Sequence, residues 1–211
     1  MKFILRQYAR AFFILREIRM ISVIVIGLLI ISGVVGYIIA KSFPVIFGEY
    51  MDMVMMTLSK SGLLDNEGNI STLMLFFNNA RVALQGIGEG LLPFFFIPTL
   101  LIIINGFVIG VVLAVRGGSG LIVPILFFSG IMPHGIFEFA ALIISWSTGI
   151  LLCYSTIKLI FRRIEPERVV ELLKSAAAVY CCLVVPLLIV AAIVEANLTP
   201  IILEAALSKF A

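Results

Sequence analysis

Long apolar runs alternate with short polar connections along this chain. Ile21 to Ala40 (20 residues), Leu91 to Val115 (25) and Ala176 to Val194 (19) contain no charged side chain, and Ile136 to Ile157 (22) contains one, Glu138. An α-helix needs about 20 apolar residues to cross a hydrocarbon core of roughly 30 Å, so each run predicts a spanning helix. Two intervening segments are more polar or more broken. Ser71 to Gly90 carries Asn78, Asn79, Arg81, Gln85 and Glu89, and Gly117 to Gly135 carries Pro124, Gly130 and Pro133.

Composition agrees with the pattern. With 62% hydrophobic and 13% charged residues and a mean hydropathy of +1.21, the chain has too little polar side-chain area to cover a water-soluble globule. The expected fold class is all-α, a polytopic transmembrane helical bundle of about five crossings with broken or re-entrant helices near the centre. Residues 1–20 read as a cytoplasmic basic amphipathic segment, and 21–211 as one helical membrane domain with an outer connection at 41–70 and a cytoplasmic connection at 161–175. Making both polar segments re-entrant would place Arg162 and Arg163 outside, so either 71–90 or 121–135 is expected to cross.

Charge sets the orientation. Lys2, Arg6, Arg10, Arg16 and Arg19 precede the first run, and Lys158, Arg162, Arg163, Arg168 and Lys174 surround the second polar connection. The positive-inside rule puts both clusters in the cytoplasm and the C-terminus outside a plasma or inner cell membrane. Lys41 to Ile70, with Glu49, Asp52, Asp65 and Glu67, suits the outer side. Ile38-Ile39-Ala40 lacks the small residue that signal cleavage needs, so the first run reads as an anchor. Lys2, Arg6 and Arg10, interleaved with Phe3, Ile4, Tyr8, Phe12 and Phe13, fit a helix on an anionic membrane surface or a basic flank that only sets topology.

Candidate chemistry concentrates in Ser129 to Ala140, SGIMPHGIFEFA, which holds the single histidine of the chain. Pro133 with Gly130 and Gly135 predicts a helix break that leaves peptide groups in need of partners where water is scarce. A helix starting at Gly135 would aim its first-turn amides at that break. His134 and Glu138, four residues apart, share a helical face and suit a structural pair, a proton relay or a ligand site. Asn78, Arg81, Glu89, Asn105 and Glu195 are further intramembrane polar candidates, with Arg81 and Glu89 two turns apart on one face. Glu89-Gly90 and His134-Gly135 each precede a long apolar run, 45 positions apart, as in transporters with paired interrupted segments. Asn105 to Gly110, NGFVIG, contains a G-x-x-x-G spacing through Gly106 that permits close helix approach.

Other chemistry finds little footing. Cys153, Cys181 and Cys182 have neither zinc-site nor disulfide spacing, and one histidine cannot build a multi-histidine cage, so no metal and no cofactor is expected. Met51 to Met56, MDMVMM, alternates thioethers as copper(I) carriers do, but helical geometry scatters them. Asp65 to Asn69, DNEGN, has its glycine at the wrong position for a calcium loop and reads as a turn. A P-loop is absent, which excludes a self-contained ATP pump, and no catalytic constellation is assembled.

The ordered pieces FFNNARVAL, GIGEG, INGFVIG, MPHGIFEFAALIIS and AAIVEANLTP, across about residues 74 to 200, resemble the stage II sporulation protein M family of integral membrane proteins. Matching motifs carry Asn78, Asn105, Gly106, Pro133, His134, Gly135, Glu138 and Glu195 over as that resemblance's candidate residues. It implies a membrane scaffold that recruits membrane or cell-envelope proteins, in spore formers the peptidoglycan-degrading partners of engulfment. The alternative is a permease or channel for a small solute or ion, proton-coupled through His134 and Glu138. An enzyme is not expected. Expected partners are the lipid bilayer, envelope proteins and a second copy of the chain, with no nucleic acid.

Overall fold

The computed structural model describes residues 2–60, 71–117 and 122–209, and these are almost entirely helical, with no strand among them. Asp65, Glu67 and the DNEGN turn lie outside the described residues. In chain order the helices are α1 (Lys2–Ser42), α2 (Pro44–Lys60), α3 (Thr72–Glu89), α4 (Ile97–Arg116), α5 (Ile122–Ile125), α6 (Met132–Ile160), α7 (Pro166–Val179), α8 (Val185–Ile193) and α9 (Thr199–Leu207). Three short π-helices, π1 (Leu126–Ile131), π2 (Tyr180–Val184) and π3 (Val194–Leu198), join α5 to α6, α7 to α8 and α8 to α9 without a break. Four continuous helical stretches are long and apolar enough to cross a membrane: Ile4–Ser42, Ile97–Arg116, Ile122–Ile160 and Pro166–Leu207.

The first stretch is a single helix of 41 residues. At 1.5 Å per residue it is about 60 Å long, twice the hydrocarbon thickness, so α1 runs through residue 20 unbroken and extends well past a bilayer. Its amino-terminal half is docked against protein. Ala11, Ile14 and Ile18 are fully or almost fully buried in the cluster that holds Leu172, Ala176 and Val179 of the last stretch. An Arg168–Glu17 pair at 2.9 Å and the Arg168 guanidinium 5.3 Å from the Phe13 ring centre fasten the exposed rim. The three-to-four spacing of these small and branched residues gives α1 a protein-facing stripe there as well as its basic positions.

Glycine sets how closely the crossings approach. Gly106 and Gly110 of α4 lie on the backbone of α1: a Cβ on Gly106 would meet Leu29 O and Ser32 Oγ, and one on Gly110 would meet Gly33 O, with Tyr37 N at 2.7 Å. Gly106 therefore sits in an uninterrupted helix, does not break it, and serves as a contact surface. Gly149 of α6 bears on Gly86 of α3 in the same way, and Gly86 faces the edge of the Trp146 ring. Side-chain-free patches of this kind let helices gain dispersion contacts where lipid gives no hydrophobic drive to associate.

α3, 18 residues long, runs parallel to α6. Gly86 meets Trp146, Gly90 meets Gly149, Leu92 O accepts from Cys153 Sγ at 3.5 Å, and the Phe94 and Phe161 rings stack edge to face at 6.4 Å. Ser71 caps its start, its Oγ accepting from Met74 N. Because 122–160 forms one helix, the 121–135 segment belongs to the α6 crossing, and α3 is the element of the 71–90 segment that stands beside it.

Two apolar stretches are shaped differently from their sequence pattern. Residues 91–96 of the expected 25-residue run form a turn, with Phe94 and Phe96 at φ 70° and 45°, and α4 starts only at Ile97. Pro93 and Pro98 bracket this turn, and Pro98 occupies the first turn of α4, where its missing amide costs nothing. After α1, Pro44 opens α2, and the methionines scatter around it: Met51 is buried beside Ala40, Val111 and Ala114 while Met53 and Met56 are exposed.

Candidate functional site

The expected break before His134 is a widening of the helix. Met132 N donates to Phe127 O, five residues back, and Pro133 follows. The same arrangement recurs twice: Val185 N donates to Tyr180 O before Pro186, and Thr199 N donates to Val194 O before Pro200. A proline ring collides with the carbonyl four residues earlier and brings no amide, so one residue of slack on its amino side relieves the clash while keeping the other peptide groups bonded. Consequently Gly135 does not begin a helix. It lies buried inside a continuous one, and the predicted ring of free first-turn amides is not formed.

π1 and π3 are brought to the same region by the packing of π1 on α9 and of π3 on α6. π1 packs on α9, where a Cβ added to Gly130 would lie 3.7 Å from Leu203, and His134 stands beside Thr199 at the start of α9. His134 Nδ1 lies 3.2 Å from Thr199 Oγ1, and Thr199 Oγ1 itself donates to Val194 O at 3.2 Å. A ring nitrogen of His134 and carboxylate oxygens of Glu138 and Glu195 all fall within 4.8 Å of one another. Neither carboxylate has a hydrogen bond or ion pair among the described residues, and the described ion pairs all lie at the Arg10, Glu17, Arg168, Glu171 and Lys174 end. Two half-buried carboxylates this close repel each other when both are ionised, and a proton or a metal ion between them would offset that charge.

A cavity of about 230 Å³ opens beside this cluster, lined by His134, Glu138, Asn105, Trp146 and apolar residues of α1, α4 and α6. Asn105 Nδ2 donates to Leu101 O at 2.8 Å, and its carbonyl oxygen has no hydrogen bond among the described residues. Leu29, Ile109 and Phe139 separate the cavity from an apolar crevice of about 580 Å³ between α1, α4, π1 and α6. A largely apolar chamber with His134, Glu138 and Asn105 in its wall thus adjoins a wholly lipid-compatible one.

The residues singled out in the sequence divide accordingly. His134, Glu138, Asn105 and Glu195 come together. Asn78 and Arg81 are exposed on α3, Asn78 bonding to Asn79 at 3.3 Å. Glu89 accepts from Gln85 at 3.4 Å through one oxygen, and its other oxygen is buried without a partner. Thr199 and Trp146 were not anticipated. The Thr-Pro pair after Glu195 is the local signal for the first; nothing local marks the second.

A profile of the family described as stage II sporulation protein M matches residues 22–200, most of the chain. The chain belongs to the stage II sporulation protein M family. The matched region contains the His134–Glu138–Glu195 cluster, the Gly106–Gly110 contact and every π turn. No curated protein and no solved structure matches the chain.

Proposed function

We propose that this member of the family is a multi-pass cell-membrane permease or channel component that takes a small cation into the His134 cavity. One observation carries the reading. Three ionisable side chains from two different helical stretches cluster beside a chamber that His134 and Glu138 line, and among the described residues neither carboxylate is paired with a lysine or arginine. Buried charge of this kind is costly to keep for packing alone, since apolar residues of similar volume fill space better. The three π turns supply a plausible moving part, because a wide turn can return to α geometry by shifting one hydrogen-bond register.

Orientation follows from charge. Arg10, Arg16 and Arg19 and the 158–174 cluster lie at the cytoplasmic end, and the C-terminus lies outside. The recruiting role implied by the family resemblance has its own support at that end, where exposed Arg16 and Arg19 and the exposed Tyr8, Phe12 and Phe13 present a basic and aromatic surface.

Proteoliposomes loaded with a pH-sensitive dye and with cation indicators test the transport reading. Under an imposed membrane potential the wild-type chain is expected to pass protons or a metal cation, Glu138→Gln and Glu195→Gln are expected to abolish the flux, and Arg168→Ala is expected to keep it. Absence of flux for protons, alkali cations and divalent cations alike would sink transport and leave recruitment, which predicts partner proteins that copurify.

A further inference from the structure

We propose that His134, Glu138 and Glu195 form a binding site for a first-row divalent transition metal such as Zn²⁺ or Mn²⁺, with Thr199 as the residue that orients the histidine. The inference concerns the chamber assigned above to a small cation and rests on that reading of the site; it does not require that the ion be transported.

The hydrogen bonds around Thr199 fix the histidine. Its hydroxyl proton is committed to Val194 O, so toward the ring it offers a lone pair, and His134 Nδ1 must carry the proton that fills it. An Nδ1–H···Oγ1 bond of this kind leaves Nε2 as the ring nitrogen available to bind a metal when the imidazole is neutral. A ring N–H held by an oxygen partner is the usual outer support of a metal-bound histidine. Here the partner stands on a carbonyl that also accepts the backbone amide of Thr199 across the π turn, so Pro200 and the widened helix hold the orienting group in place.

The donor set selects the class of ion. One imidazole and two carboxylates suit Zn²⁺, Mn²⁺ or Fe²⁺, whereas Mg²⁺ and Ca²⁺ prefer an all-oxygen shell. Two carboxylates balance a divalent charge, so the loaded site is neutral. Ligand atoms around such an ion stand about 3 to 3.5 Å apart, given bonds of roughly 2.0–2.2 Å. The observed 4.8 Å envelope has to tighten on loading, and among the described residues no hydrogen bond restrains either carboxylate. Three protein ligands leave a coordination position open to the 230 Å³ chamber, as an exchangeable ion requires. A single histidine rules out the multi-histidine cages considered from sequence; the third ligand here is Glu195, 57 residues beyond Glu138.

The chain provides its own reporter, because its one tryptophan, Trp146, lines the same chamber. The test uses full-length protein purified in detergent and stripped with a chelator, titrated with Zn²⁺ or Mn²⁺ against a competing indicator, and with Co²⁺ while tryptophan emission is recorded. One ion per chain and saturable quenching by Co²⁺ are expected, with no response to equal Mg²⁺. Glu195→Gln, nearly isosteric, should weaken binding at least 100-fold while retaining helical content and a monodisperse elution profile. Thr199→Val should weaken it 10- to 100-fold and Thr199→Ser should restore it, a pattern that general loss of packing would not give. Absence of saturable binding, or binding that Glu195→Gln leaves unchanged, overturns the proposal. Metal binding without flux overturns transport and upholds the metal site; flux without metal binding does the reverse.

Discussion

Asn105 and Gly106 are neighbours on α4 and serve opposite regions of the molecule. Gly106 presses against the α1 backbone at Leu29 and Ser32, where absence of a side chain is the useful property. Asn105 lines the His134 chamber, where the side chain is the useful property. In the α1–α4 seam, atoms of two helices touch directly and any added carbon displaces backbone. Around the chamber, the groups stand apart, two carboxylates lack partners, and space is left open. One region therefore supplies rigidity, and the other carries unspent interaction capacity that a ligand can use.

Substitutions can sharpen or break that contrast, and thermal unfolding in detergent is the common measurement. Trp146→Ala removes a fully buried ring that packs on Gly86 and should cost about 3–5 kcal/mol, the largest effect expected. Gly110→Leu forces carbon into Gly33 O, which cannot move aside as a side chain would, and should cost about 3 kcal/mol, at the upper end of overpacking. Gly27→Ala, where an added Cβ meets nothing within 4 Å, should instead be neutral or stabilise by roughly 0.5–1 kcal/mol. If both glycine changes cost the same, close approach is not what the α1–α4 seam depends on.

The chamber should respond less. Thr199→Val removes the bond to His134 and is expected to cost about 1 kcal/mol. Arg168→Ala, at the rim pair with Glu17, should cost less than about 1 kcal/mol, with the difference shrinking further at high salt. Glu195→Gln should leave stability of the metal-free protein within about 0.5 kcal/mol of wild type, because its carboxylate makes no bond that the amide loses. A large loss of stability at Glu195 would turn the site into a structural element and erase the contrast.

The parts legible in the sequence were those governed by short-range periodicity. His134 and Glu138 share a face because four residues make one turn, and the apolar runs fixed where helices cross. Gly106 and Gly110 were readable as a contact patch from their spacing, though their partner on α1 was not. The prolines were read as breaks because proline removes a bond, yet neighbouring helices hold the chain helical and let π1, π2 and π3 absorb the misfit. The basic amino-terminal segment, read as a surface helix or a flank, proved continuous with the first crossing because α7 offers Ala11, Ile14 and Ile18 a place to bury.

By itself, the sequence determined the solvent, the class of fold and the crossing helices, since these depend on transfer of apolar side chains from water and on hydrogen bonds closed within each helix. Tertiary structure alone decided which polar groups meet. Glu195 and Thr199 reach His134 because the last crossing packs antiparallel to α6, a matter of which helix faces fit together across some 60 residues of chain, and no local spacing encodes that fit.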